Sequence, residues 1–345
     1  MPSFAVVIPT FNRADLLPET LDSLFAQTVP FARVIVVDDG STDGTAAMLA
    51  SRTPRCMVIE QSRGRQQRAR NRGIAAADTD WIVFCDNDDL LLPEYLEQVA
   101  AVVHRVPGLD AVYCNNATFR GTHIERADAF ATQPGFWEGL EDIDTAFIGG
   151  GVELAARKAA ISGLLWPTGL AVRREFFDVI GMFDERMADV PFEDYEFTLR
   201  VIASGRVAFL KSPLARIRLH AGNASDAGEL EVVKGLVYML QFCLDHHPHA
   251  RRPVARGARG TAGASLEPPA VYRVPFRRLA DGAATRDRRQ RRDAVGEAAA
   301  ADCGRAAARA GALGRGQAAR AAAALERDPY RWNHRSGESR SQTTS

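Results

Sequence analysis

The chain has 345 residues with 43 basic and 43 acidic side chains, so its formal net charge is zero, and that balance speaks against a polyanionic partner such as nucleic acid. Its length holds one large α/β domain or two smaller ones. No apolar run approaches the roughly 20 residues that span a bilayer, and "MPSFAVVIPTFNR" lacks the basic start and long apolar run of a signal peptide. A soluble, cytoplasmic protein is expected, with peripheral contact at the inner face of a membrane left open.

In chain order, "FAVVI" (Phe4–Ile8) reads as a buried strand closed by Pro9. "ADLLPETLDSLFAQ" follows with Leu17, Leu21, Leu24 and Phe25 at helical spacing. "RVIVVDD" (Arg33–Asp39) is a second strand, and "GTAAMLAS" a helix after a turn. "MVIE" (Met57–Glu60) is a third strand, "QQRARNRGIAAA" a helix, "DWIVFCD" (Asp80–Asp86) a fourth strand. "PEYLEQVAAVVHR" then opens with proline at a helix's first turn, where the missing N–H costs nothing. This alternation implies βαβ units and a Rossmann-like, doubly wound, mostly parallel sheet.

Beyond Pro107 the pattern loosens. "DAVYCNN" (Asp110–Asn116) reads as a strand, and Ala117 to Leu165 as irregular, with Gly149, Gly150 and Gly151 in a row. "TGLAVRREFFDVIGMFDE" is strand, helix and a Gly181 stop; "EDYEFTLRVIASG" is an amphipathic helix. "VAFL" and "LARIRLH" are two short strands, before an apolar helix from about Glu229 to Leu244. The five cysteines, Cys56, Cys85, Cys114, Cys243 and Cys303, include no CxxC pair, which suits reduced thiols better than a disulfide framework.

Ligands of doubly wound sheets bind beyond the carboxyl ends of the strands. That rim collects "PTFNR", "DDGSTDGT" and "DNDD". Adjacent carboxylates raise one another's pKa unless a cation neutralises them, and Mg2+ or Mn2+ takes oxygen ligands from one or two carboxylates, water and substrate phosphate. An acidic tripeptide alone is commonly a solvated turn; its place on the rim favours a metal–diphosphate site. Asp38 and Asp39 end a strand, so at least one should face the rim, where a carboxylate accepts N–H or O–H bonds from a base or ribose. The plainer alternative is an Asp-Gly turn with Ser41 or Thr42 capping the next helix. Glu193 and Asp194 open a helix, where acids are favoured whatever the function. If the site holds an activated sugar, a carboxylate there could take the proton of an attacking hydroxyl.

The ordered segments "VVIPTFNR", "VVDDGSTDGT", "ARNRGIAAA", "VFCDNDD", "GMFDE" and "EDYEF" together resemble the family-2 glycosyltransferases of the GT-A fold, over about Phe4 to Ser225. The resemblance implies an inverting transfer from a nucleotide sugar to a glycan, lipid-linked or small-molecule acceptor, with Mn2+ or Mg2+ stabilising the leaving diphosphate. By position it implies that Pro9, Thr10 and Asn12 line the nucleotide, that Asp39 reads the base (often uracil), and that Arg70 and Asn71 lie nearby. It makes Asp88 the direct metal ligand, with Asp86 nearer the ribose but within the same D-x-D, and Asp194 the base supported by Glu193. His220 of "RIRLHAGNAS" matches a segment that closes over the diphosphate, with Arg218 as its substitute. Trp166 and the glycines at 149–151 fall where relatives build the acceptor pocket.

A nucleotidyltransferase also uses a doubly wound sheet and a metal, but "PTFNRADL" lacks its Gly-rich signature. A catalytically silent nucleotide-sugar-binding protein is the third reading. The domain reading gives residues 1–225 to the glycosyltransferase unit, with the nucleotide bound by residues 1–116 and the acceptor by residues 117–225. Residues 226–249 then form a helix and residues 250–345 a tail. That tail is rich in Arg, Ala and Gly, with roughly twice as many basic as acidic groups. It reads as a disordered basic segment, as a patch for anionic membrane or nucleic acid, or as GC-rich DNA translated out of frame after a shift near Pro248–Arg252. Resequencing separates the last from the others.

Overall fold

The computed structural model describes residues 1–52, 55–151, 153–155, 165–187 and 193–220. The helix expected after Glu229 and the tail from 250 lie outside the described residues.

Four strands, β1 (Phe4–Thr10), β2 (Arg33–Asp38), β3 (Met57–Glu60) and β4 (Trp81–Phe84), pair in parallel in the order β3-β2-β1-β4. The helices among them are α1 (Leu17–Phe25), α2 (Thr45–Ala50) and α3 (Arg65–Ala76), with α4 (Tyr95–Arg105) after β4. Side chains alternate along a strand. β1 therefore sends Ala5 and Val7 into one buried cluster and Phe4, Val6 and Ile8 into another. Ala69 and Ile74 of α3 belong to the first cluster; Leu17, Leu21 and Leu24 of α1, with Leu96, Val99 and Val102 of α4, belong to the second. Burial on both faces is why β1, β2 and β4 read as unbroken apolar runs, whereas the edge strand β3 leaves Met57 and Glu60 exposed.

The second half of the sheet departs from the expectation. It contains β5 (Leu90–Leu91), β6 (Ala111–Arg120), β7 (His123–Arg126), β8 (Glu141–Asp142), β9 (Ala146–Gly150), β10 (Leu170–Arg173) and β11 (Arg206–Arg218), with α5 (Phe177–Ile180) and α6 (Glu193–Ser204). The order continues β4-β10-β6-β11-β9-β8, with β5 paired to β11 and β7 to β6. β10 runs antiparallel to both β4 and β6, and β11 is parallel to β6 but antiparallel to β9 and β5. The sheet is thus mixed rather than mostly parallel. Hairpins such as β6–β7 and β8–β9 need no helical crossover, so antiparallel pairs form where the strand–helix alternation stops.

Two local readings change as well. "VAFL" and "LARIRLH" belong to one strand, β11, whose register against β6 shifts around Pro213. An irregularity is where a strand tolerates a residue without an N–H. Gly149 and Gly150 lie in β9, paired with β11. Gly150 has φ of 156°, and a Cβ there would stand 2.0 Å from the Gly205 carbonyl oxygen. Close strand packing explains this glycine without an acceptor.

Candidate active site

The three loops beyond the parallel strands are tied to one another by polar side chains. Asn12, in the left-handed region at φ of 50°, accepts the Thr42 N–H on Oδ1 at 2.7 Å, and its own N–H donates to Ser41 Oγ at 2.9 Å. Ser41 donates to Asp38 Oδ1 through its hydroxyl (2.6 Å) and its N–H (3.0 Å). Asp38 therefore closes the turn, and neither Ser41 nor Thr42 caps α2, whose cap position is Gly44. Asn87 Nδ2 donates to the Pro9 carbonyl at 3.0 Å and stands 3.4 Å from Thr10 Oγ1, joining the β4 loop to the β1 loop.

Asp39, only 3% exposed, has its carboxylate taken up by the loop after β3. It accepts Gln61 Nε2 and the Gly64 N–H on Oδ1 at 2.6 Å each, and the Arg65 N–H on Oδ2 at 2.8 Å. Arg63 Nη1 lies 3.5 Å from Oδ2, with its guanidinium 3.3 Å from the centre of the Phe11 ring. Asp39 thus shapes the Gln61–Arg65 loop, which sequence reasoning did not connect to it. Asn71 is also committed within the protein. Its side chain bonds both the N–H (3.0 Å) and the carbonyl (2.9 Å) of Phe183 and reaches Glu185. It fastens α3 to the "GMFDE" turn.

Arg70, 1% exposed on α3, donates to Asp86 Oδ1 at 2.7 Å. Asp194, at the start of α6, belongs to the same electrostatic group. Burial pushes its carboxyl above the ordinary range, the Arg70 charge opposes that rise and Asp86 adds to it. The Glu193 side chain lies outside the described residues. Behind Asp194, the fully buried Glu196 pairs with Arg200, which also donates to the carbonyls of Ile180 and Met182.

Asp88 faces a different set. Its Oδ2 is 2.9 Å from His220 Nε2 and 3.9 Å from Arg13 Nε, while its backbone carbonyl accepts Arg218 Nε at 2.8 Å. The Asp88 carboxylate and the His220 imidazole, in direct contact, are donors that would help to hold Mg2+ or Mn2+ beside water and substrate oxygens. Among the described residues no three His, Cys, Asp or Glu side chains gather as a ready-made metal cage. Asp89 was given no role from the sequence, yet it is the buried member of the quartet. It accepts the Thr168 hydroxyl on Oδ2 at 2.6 Å and the Arg218 N–H on Oδ1 at 2.8 Å. Burial, then the neighbouring Asp88 and Asp86, push its carboxyl well up. Trp166 is half-buried, and its indole N–H, out of solvent, meets no acceptor among the described residues.

This rim lies at the carboxyl ends of a parallel quartet in a GT-A-like sheet. Residues 5–180, just over half of the chain, match the "Glycosyl transferase family 2" profile. The chain belongs to glycosyltransferase family 2. A glycosyltransferase of Haemophilus influenzae is 27% identical over 198 residues, covering 57% of this chain and 61% of that one. A PGL/p-HBAD biosynthesis glycosyltransferase of Mycobacterium bovis is 34% identical over 134 residues, covering 37% of this chain and 52% of its own. The chain thus spans about three fifths and about half of these relatives. Staphylococcus aureus TarS 1–349 in complex with UDP-GlcNAc superposes with a TM-score of 0.53 at 21% identity, covering 72% of this chain and 69% of that one. At that identity the likeness is one of fold.

Proposed function

We propose that the chain transfers a sugar from a nucleoside-diphosphate sugar, a UDP-sugar first among them, to a hydroxyl acceptor with inversion. The carrying observation is the gathering of Asp194, Arg70 and Asp86 on the rim that also holds the Asp88–His220 pair. Asp194 takes the proton of the acceptor hydroxyl as its oxygen bonds the anomeric carbon, and the bond from that carbon to the diphosphate breaks in the same displacement. Arg70 opposes the rise in the Asp194 pKa that burial causes, and Glu193 supports the base. Asp88 and His220 would hold Mn2+ or Mg2+, with Asp86 beside them. When bound, the cation supplies positive charge to the leaving diphosphate. Pro9, Thr10, Asn12 and the Asp39-built loop line the nucleoside end.

TarS is described with UDP-GlcNAc and the mycobacterial relative by its place in PGL/p-HBAD biosynthesis. The first supports a UDP-sugar donor, and the second a biosynthetic transfer to a glycan, lipid-linked or small-molecule acceptor. Among the described residues no helix is long and apolar enough to cross a membrane, and Cys56, Cys85 and Cys114 are buried free thiols. The buried free thiols suit a reducing, cytoplasmic setting, and a lipid-linked acceptor would call for peripheral membrane contact.

A thermal-shift panel of UDP, GDP, dTDP and CMP, each with and without Mn2+, tests this on wild type and Asp88→Ala. A ligand at a hundred times its Kd stabilises by about 2.7 kcal/mol. UDP should stabilise the wild type with Mn2+ and lose that increment in Asp88→Ala. A folded wild type that responds to none of the four would overturn the reading.

A further inference from the structure

We propose that Thr168 and Asp89 form a buried positioning pair that sets the two sides of the diphosphate rim relative to each other, Asp86–Arg70 on one and Asp88–His220 on the other. It rests on the reading above of Asp88 and His220 as the residues that hold the cation. A threonine hydroxyl has one hydrogen to donate and lone pairs to accept. Thr168 uses both functions within the acidic loop. It donates to Asp89 Oδ2 at 2.6 Å and accepts the Asp86 N–H at 3.0 Å. One hydroxyl therefore places both ends of "DNDD".

Thr168 is itself held firmly. It bridges to Phe84 at the end of β4, and Gly169 donates its N–H to the Phe84 carbonyl at 3.0 Å while accepting the Cys114 N–H at 3.1 Å. Gly169 adopts φ of 84°, and a Cβ there would come within 3.1 Å of the Cys114 Cβ and 3.3 Å of the Ala215 Cβ. Only glycine suits that conformation and that gap.

The second carboxylate oxygen of Asp89 carries the constraint across to β11. It accepts the Arg218 N–H at 2.8 Å, and Arg218 Nε returns to the Asp88 carbonyl at 2.8 Å. Two residues further on, His220 Nε2 reaches Asp88 Oδ2. The distance between these two groups therefore depends on a chain of hydrogen bonds that begins at the buried Thr168–Asp89 contact. Thr168 and Asp89 touch no substrate in this scheme. They fix the spacing of groups that do, so their loss should fall on the cation-dependent component of nucleotide binding.

The test is calorimetric UDP binding, with and without Mn2+, by the full chain as wild type, Thr168→Val, Thr168→Ser and Asp89→Asn. Valine keeps the shape of threonine without its hydroxyl, and serine keeps the hydroxyl. Thr168→Val and Asp89→Asn should cut the Mn2+-dependent gain in UDP affinity at least tenfold and leave metal-free affinity within twofold; Thr168→Ser should restore the gain. The proposal is overturned if folded Thr168→Val retains the gain, if both affinities fall together, or if serine behaves as valine does. If Thr168→Val and Asp89→Asn both fail to fold, the pair is only a brace and the proposal also falls. A wild type with no Mn2+-dependent gain refutes the cation reading itself and takes this inference with it. Loss confined to the variants separates the two cases.

Discussion

Asp194 has to be ionised before it can take a proton, and its surroundings oppose that. Burial raises its pKa, Arg70 counteracts the rise and Asp86 reinforces it. Asp194→Asn should abolish transfer while leaving UDP affinity within a few-fold, read by product formation and calorimetry on the same preparation. Loss of both together would mean that the residue is not the base. The acid limb of kcat/KM should lie above the ordinary carboxylate range, because the free enzyme's base is protonated until the pH exceeds its raised pKa. Arg70→Gln removes the opposing cation, so the limb should move to still higher pH. For stability the sign is reversed. Folding with a raised carboxyl pKa favours the protonated form, so Asp194 contributes most below its unfolded pKa, and that contribution is lost as pH rises through the folded one. Much of this group was legible from residue type and order, since "ARN", "DNDD" and "ED" are contiguous motifs. Thr168 was not legible. A threonine after proline carries no signal that its hydroxyl will reach a loop 79 positions earlier.

The elements are joined at their ends by side chains that act as clamps. Asp80, just before β4, accepts both the N–H and the hydroxyl of Ser3 at 2.8 Å, and these bonds hold its carboxyl below the usual range. Stability from such a group is present above its unfolded pKa and lost as pH falls through the folded one. Asp80→Ala should therefore melt a few degrees lower at neutral pH, for a loss of about 1 kcal/mol. The gap to wild type should narrow as pH falls through the lowered pKa, as thermal melts across pH would register. A larger effect belongs to α6. Arg200 satisfies the buried Glu196 and two carbonyls of the turn after α5. Arg200→Ala strands a buried carboxylate and should cost about 3–5 kcal/mol in denaturant unfolding. Gly150→Ala should also destabilise strongly, because the new Cβ would meet the Gly205 carbonyl. Strands β1, β2 and β4 were legible because burial on both faces demands continuous apolar runs, and the edge strand β3 by its place in the strand–helix alternation. β9 and β10 were harder to place, since short strands and glycines carry no period that tells one neighbour from another.

The chain joins a parallel quartet to a mixed half that brings Thr168, Asp194 and His220 to the rim of that quartet. Composition assigns no role to the residues beyond 250, so a chain stopped after Ala250 should bind UDP as the full chain does, measured by calorimetry; a large loss would assign those residues a role in the site. The order of strands and helices in the first third, the three converging loops and the chemistry of their carboxylates follow from the amino-acid sequence alone, because each depends on residues close together in the chain. Partner choice does not. Nothing local in the sequence says that the Asp39 carboxylate accepts bonds from the Gln61–Arg65 loop, or that Asn71 bonds the Phe183 backbone 112 residues away. Hydrogen-bond donors are interchangeable in sequence and become specific only when packing brings one of them within about 3 Å. That selection was made by the tertiary structure.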